Sequence, residues 1–105
     1  MAQVVEILQY RLRAGSGERF HHIMQQYSVP LHQASGLVVL DHGISLHDPD
    51  SYYLLRLFDG MAEMEQVLQH FYQSQAWLKG PRAEIVGLIE ESHRVVLPYQ
   101  SGHYR

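Results

Sequence analysis

Apolar side chains along this chain change period several times, and each change marks an element. Residues 4–12, VVEILQYRL, are rich in branched and aromatic side chains and predict a strand. AGSGE then marks a turn. Phe20, Ile23, Met24 and Tyr27 follow at i, i+3, i+4 and i+7, one face of a helix. Pro30 has no amide hydrogen and disfavours helical geometry at Val29, which predicts a stop or kink there, with a short second piece ending at Gly36. GLVVLDHGISL and YYLLRLF predict a hairpin of two strands joined by the turn residues HDPDS. Asp59 is the expected N-cap of the next helix, whose stripe is Met64, Val67, Leu68 and Phe71. In SQAWLKGPR, Ser74 is placed to cap one turn carrying Trp77, Gly80 to end it, and Pro81 to open a last helix burying Ile85, Leu88 and Ile89. SHRVVLP closes the domain as a fourth strand, and residues 99–105 read as a polar tail after a single domain of residues 1–98.

Strand, helix, strand, strand, helix, strand is the split βαβ order of ferredoxin-like α+β domains. It predicts a four-stranded antiparallel sheet in the order 4-1-3-2, with every helix on one face. Such a half-covered sheet should alternate apolar and polar residues. Here Val4 stands beside Val5, Val38 beside Val39, Leu54 beside Leu55, and Val95 beside Val96, so both faces carry apolar side chains. Burying one such side chain fully stabilises a fold by roughly 1.5–3 kcal/mol. The helix-free face therefore calls for a cover, and a second copy, sheet on sheet about a two-fold axis, is the expected one.

Composition narrows the function classes. A length of 105 residues with 46% hydrophobic content suits one globular core. No apolar run approaches the roughly 20 residues that span a bilayer, so no membrane span is expected. No secretory or transit signature and no cysteine is seen, and the expected location is cytoplasmic. A net charge of −3, with Lys79 and seven scattered arginines, argues against a nucleic-acid partner. Eight histidines invite a metal, but their spacing does not: His21 and His22 diverge by about 100° on a helix, and His42 and His47 fall on opposite faces of a strand. No metal site and no cofactor is expected, since glycine-rich phosphate loops and nucleophile motifs are also missing.

VVEILQYRLRAG resembles the opening strand and turn of NIPSNAP proteins, LLRLFDGMAEMEQ their third strand entering the second helix, and FYQSQAW, GPR and LIEESHRVVLP their closing segment. The likeness runs over most of residues 4–98 and implies a dimeric α+β barrel. Related barrels include cofactor-independent monooxygenases, haem-degrading enzymes and polyketide cyclases, an analogy of fold alone. In such barrels the pocket lies between sheet and helices. The greasier even positions of the first strand place Val4, Leu8, Tyr10 and Leu12 there, with Glu6 among them. The same rule places Val38, Leu40, His42, Ile44 and Leu46, and the resemblance selects Leu54, Arg56 and Phe58 in the third strand. The family's Glu-x-Arg-x-Tyr reads Glu6-x-Leu8-x-Tyr10 in this chain, with an arginine at position 56 instead.

With Val4 opposite Phe58, Glu6 meets Arg56 and Tyr10 meets Tyr52. The expected catalytic group is then His42 as general base with Tyr10, Arg56 and Glu6. Each has a plain alternative: a structural ion pair for Glu6 and Arg56, a hydrogen-bonded core residue for His42, and packing for Tyr10. Tyr27, Phe58, Phe71, Trp77 and His93 are the candidate contacts for a small apolar or aromatic ligand. Trp77 is expected to anchor its turn on the sheet or first helix, and Arg82 to reach a carbonyl or Glu6. Two functions compete: a small-molecule pocket, as enzyme or carrier, and a non-catalytic homodimeric module with a filled core.

Overall fold

A computed structural model describes residues 2–99, so Met1 and residues 100–105 lie outside the described residues. Strand β1 (Gln3–Leu12) leads into helix α1 (Gly17–Ile23), a π-helical turn (Met24–Ser28) and helix α2 (Val29–Ala34). Strands β2 (Val38–Ser45) and β3 (Asp48–Phe58) form the hairpin; helices α3 (Met61–Gln73), α4 (Gln75–Leu78) and α5 (Arg82–Leu88) precede strand β4 (Ile89–Tyr99). The sheet runs β2-β3-β1-β4, the expected ferredoxin-like order, with antiparallel neighbours. Tyr99 belongs to β4, and the rest of the expected tail lies outside the described residues.

The register of β1 on β3 is the expected one: Val4 faces Phe58, Glu6 faces Arg56, and Tyr10 faces Tyr52. Their face packs under the helices, where Leu8, Leu12, Tyr52, Leu54 and Phe58 join Phe20, Ile23, Met24, Met64, Phe71, Trp77 and Ile85 in one core.

Local expectations change in several places. The break expected at Pro30 takes the form of a π-helical turn just before it, followed by the short helix α2. The amide of Val29 donates to the carbonyl of Met24, five residues back, and this wide turn opens the ladder just ahead of the proline ring. The added residue rotates the buried stripe, so Ser28 is buried and Tyr27 is 58% exposed. In β2 the pairing slips between Val39 and Asp41, so Val39 opposes Arg56 and His42 opposes Leu54. This bulge sends Val39 rather than Val38 toward the helices and puts Leu40 on the opposite face, beside Val5, Ile7 and Leu55. Leu46 lies in the turn, fully exposed.

HDPDS is mostly strand, since β3 already begins at Asp48 and only Leu46 and His47 make the turn. Asp50 instead clamps the start of α1, its carboxylate accepting from the amides of Gly15 and Gly17 at 2.9 and 3.0 Å. Gly17 must be glycine, because a Cβ there would stand 1.7 Å from the Pro49 carbonyl oxygen. Helix α3 is entered through Gly60, with no side-chain cap; Asp59 accepts from Gln3 at 3.5 Å instead. Ser74 does cap α4, its Oγ accepting from the amide of Trp77 at 3.3 Å. The Trp77 ring packs on α3, 5.5 Å from the Phe71 ring and 5.3 Å from that of Tyr72, within the core that the sheet and α1 share. Gly80 ends the turn where a Cβ would meet the Ala76 carbonyl oxygen at 2.3 Å, and Pro81 stands at the N-cap of α5.

Candidate functional site

Two polar groups sit on the helix-facing side of the sheet. The first is built on β1 and β3. Glu6 and Arg56 are each 1% exposed. Arg56 donates from Nε and Nη2 to the same Glu6 oxygen, both at 2.6 Å. The other Glu6 oxygen accepts from Arg94 Nε at 2.6 Å, so the second arginine comes from β4, and exposed Arg82 does not take that place. Arg56 Nη1 donates to Tyr72 Oη at 2.8 Å and to His32 Nε2 at 3.0 Å. A guanidinium has no acceptor, so His32 Nε2 must carry the lone pair. Its Nδ1–H then donates to the Ser28 carbonyl at 2.7 Å. Burial, with Arg56 beside it, lowers the His32 pKa to about 4, so the ring is neutral at neutral pH. Burial opposes the charge on Arg56, but Tyr72 and Glu6 outweigh it and keep the guanidinium protonated. Among the described residues no buried side-chain nitrogen or oxygen lacks a hydrogen-bond partner.

The second group lies where α1 passes over β2 and β3. Tyr52, 2% exposed, places its hydroxyl between two imidazoles. His21 Nδ1 is 2.7 Å from Tyr52 Oη, and His42 Nδ1 is 2.9 Å from it. The two imidazole rings stand 5.9 Å apart, both partly open to solvent. Burial, then the neighbouring His21, lowers the pKa of His42, with Asp41 pulling the other way. Burial raises the pKa of Tyr52, which keeps its phenol protonated. The Asp41 carboxylate fixes the strand here, accepting from the His42 amide at 2.9 Å and from Tyr53 Oη at 3.1 Å.

The expected catalytic four are thus divided. Glu6 and Arg56 form one closed cluster, and His42 belongs to the other. Tyr10 packs its ring against Phe20 at 5.7 Å, with its pKa raised by burial. Among the ligand candidates, Phe58, Phe71 and Trp77 are core. Phe71 also packs against the His32 ring, tilted by 45° with centroids 4.5 Å apart, and borders a groove of about 480 Å³ with Leu37 and His70. Tyr27 borders another groove, of about 440 Å³, with Arg19 and Pro81. His93 pairs with Gln9 in register, its side chain is 67% exposed beside Glu91, and it borders a groove of about 490 Å³ with Tyr10 and Tyr52.

His32, Tyr72, Arg94 and His21 were not singled out from the sequence. Arg94 was within reach, because it stands two residues before the inward Val96. His32 follows Ser28 by one turn, but the π turn hides that spacing. Among the described residues no group of three or more His, Asp or Glu side chains is placed to hold a metal.

Solved structures share this arrangement. A NIPSNAP domain protein from Burkholderia xenovorans superposes with a TM-score of 0.80 over 94% of this chain and 96% of its own, at 19% identity. A NIPSNAP family protein from Agrobacterium tumefaciens gives 0.84 over 95% and 88%, at 15% identity. This chain has the NIPSNAP fold. A Nitrosomonas europaea protein provisionally assigned as an antibiotic biosynthesis monooxygenase gives 0.67 over 97% and 91%, at 17% identity. No protein-family model and no curated protein matches the chain. Within the NIPSNAP fold, likeness at these identities speaks for architecture, and the chemistry has to be argued from the two polar groups. No helix among the described residues is long and apolar enough to cross a membrane.

Proposed function

We propose that the chain is a NIPSNAP-family homodimer, joined through the helix-free sheet faces, that handles a small apolar or aromatic molecule at His42 rather than at Glu6 and Arg56. One contrast carries this reading. Arg56 spends its donors on Glu6, His32 and Tyr72, and Glu6 has both oxygens engaged, so neither offers anything to a ligand. His42 uses Nδ1 on Tyr52 and is partly open to solvent, with a pKa that burial holds down, so at neutral pH its ring is an uncharged proton acceptor. Acid–base work without a metal is the chemistry that suits it.

The dimer is supported by the helix-free face. Ile7, Leu55, Leu57 and Leu97 are only half-buried there, Val95 is 47% and Leu40 40% exposed, and Val5, Ile7, Leu40, Leu55 and Tyr99 surround a hollow of about 220 Å³. A second reading, a non-catalytic homodimeric module, draws support from the filled interior and from the grooves of about 480 and 440 Å³ over the helices away from His42, whereas a groove of about 490 Å³ bordered by Tyr10, Tyr52 and His93 favours the first.

A panel of phenols, quinones, haem and acyl compounds separates the two, read by thermal shift and by imidazole nitrogen chemical shifts. A ligand at a hundred times its Kd adds about 2.7 kcal/mol. The first reading expects a compound that raises Tm and moves the His42 signals. A panel that moves neither leaves the module.

A further inference from the structure

His21, Tyr52 and His42 are joined as donor and acceptor in a way that constrains both imidazoles at once. A phenol carries one hydrogen and donates once. The Tyr52 hydroxyl lies within hydrogen-bond distance of Nδ1 of both rings, at 2.7 and 2.9 Å. It donates to one Nδ1, and the other ring must supply an Nδ1–H for its oxygen to accept. When both imidazoles are neutral, this geometry makes them opposite tautomers. One keeps its hydrogen on Nδ1 and has a bare Nε2; the other keeps its hydrogen on Nε2. Neither ring is sealed in, since both His21 and His42 are partly exposed.

We propose that His21, Tyr52 and His42 form a bifunctional proton relay that interconverts the keto and enol forms of a small carbonyl compound. This rests on the reading of His42 as the acid–base group and adds His21 as its complement. The bare Nε2 takes the proton from the carbon beside the carbonyl, while the Nε2–H of the other ring gives its proton to the carbonyl oxygen. The C–H bond breaks, a C=C bond forms, and the carbonyl becomes the enol hydroxyl. The first ring then passes its Nδ1 proton to the Tyr52 oxygen, and Tyr52 passes its own hydrogen to Nδ1 of the second ring. Both imidazoles end neutral with their tautomers exchanged, set for the reverse step. No oxidant, metal or net proton is needed. The ring centroids stand 5.9 Å apart and both rings are partly exposed, so a small carbonyl compound would meet the pair from the solvent side. Among the described residues no charged side chain is hydrogen-bonded to either ring: Asp41 reaches the backbone amide of His42, and Tyr53 stacks on Tyr52 at 6.4 Å.

Long-range proton–nitrogen correlation spectra of the labelled full chain at pH 7.5 read the tautomers directly and need no ligand. The expected result is one Nδ1–H and one Nε2–H tautomer for the pair, with Tyr52→Phe removing the Nδ1–H form. The His32 Nδ1–H signal reports that each variant is still folded. Identical tautomers for His21 and His42 in the wild type would overturn the relay. Exchange of the α-hydrogens of pyruvate and phenylpyruvate in heavy water then tests the chemistry. The wild type is expected to exceed His21→Gln and Tyr52→Phe at least tenfold. Opposite tautomers with no exchange above those variants would overturn the assignment to carbonyl compounds. Either result stands apart from the dimer and from the ligand panel.

Discussion

Replacing Glu6 by Gln removes the one negative charge in a cluster that holds two arginines. Arg94 has an escape, because its side chain is 47% exposed and can turn to water. Arg56 has none, at 2% side-chain exposure. A buried guanidinium left without its carboxylate costs about 3–5 kcal/mol. Since a domain of this size is stable by about 5–15 kcal/mol in total, the variant should be marginal. At about 4–8 °C per kcal/mol for domains near this length, Tm should fall by more than about 10 °C. The decisive comparison is the double variant Glu6→Leu with Arg56→Met, which removes both charges and keeps much of the volume. It should stand only about 1–3 kcal/mol below the wild type, the cost of leaving buried His32 Nε2 without its donor. Urea unfolding of the three proteins at one fixed concentration measures this. A Glu6→Gln loss below about 1 kcal/mol would refute the claim that this cluster braces the fold, as would a double variant no more stable than the single one.

Two further outcomes follow from individual residues. The folded pKa of His32, about 4, lies below the ordinary histidine value near 6.5. Its contribution is therefore complete above pH 6.5 and is lost as pH falls toward 4, by about 3 kcal/mol at 1.36 kcal/mol per unit. The urea midpoint should drop over that range, and a His32→Leu variant should lose that part of the dependence; an unchanged slope would contradict it. Ser74→Ala removes the cap of a four-residue helix that cannot stand alone, which should cost about 1 kcal/mol and shift Trp77 fluorescence to the red. An unaltered spectrum and Tm would mean that packing on Phe71 and Tyr72 suffices.

Element order, sheet order and the β1–β3 register were legible because period-2 and period-3.6 patterns are long in this chain and the glycine and proline punctuation is clear. Glu6 opposite Arg56 follows from that register alone. What was hidden arises where one extra residue breaks a period. The bulge at Leu40 exchanges the faces of the first half of β2, and the π turn before Pro30 moves Tyr27 out and brings Ser28 and His32 in. The bulge has no local sequence signal and shows only in the pairing with β3, while Pro30 marks a break in the helix without giving the residue that the π turn adds. His21 was read only against His22, its neighbour in sequence, whereas its partner is Tyr52, thirty-one residues on. The helix-free face was legible as apolar from the doubled valines and leucines of all four strands.

That face is where the assembly is decided. Sedimentation equilibrium of the full chain at micromolar concentration should give a particle of twice the 12.2 kDa chain mass, and Val95→Asp, which sets a charge on that face at a 47% exposed position of the edge strand β4, should give single chains that remain folded. A wild-type particle of one chain mass, with the sheet face wetted and the fold intact, would contradict the dimer.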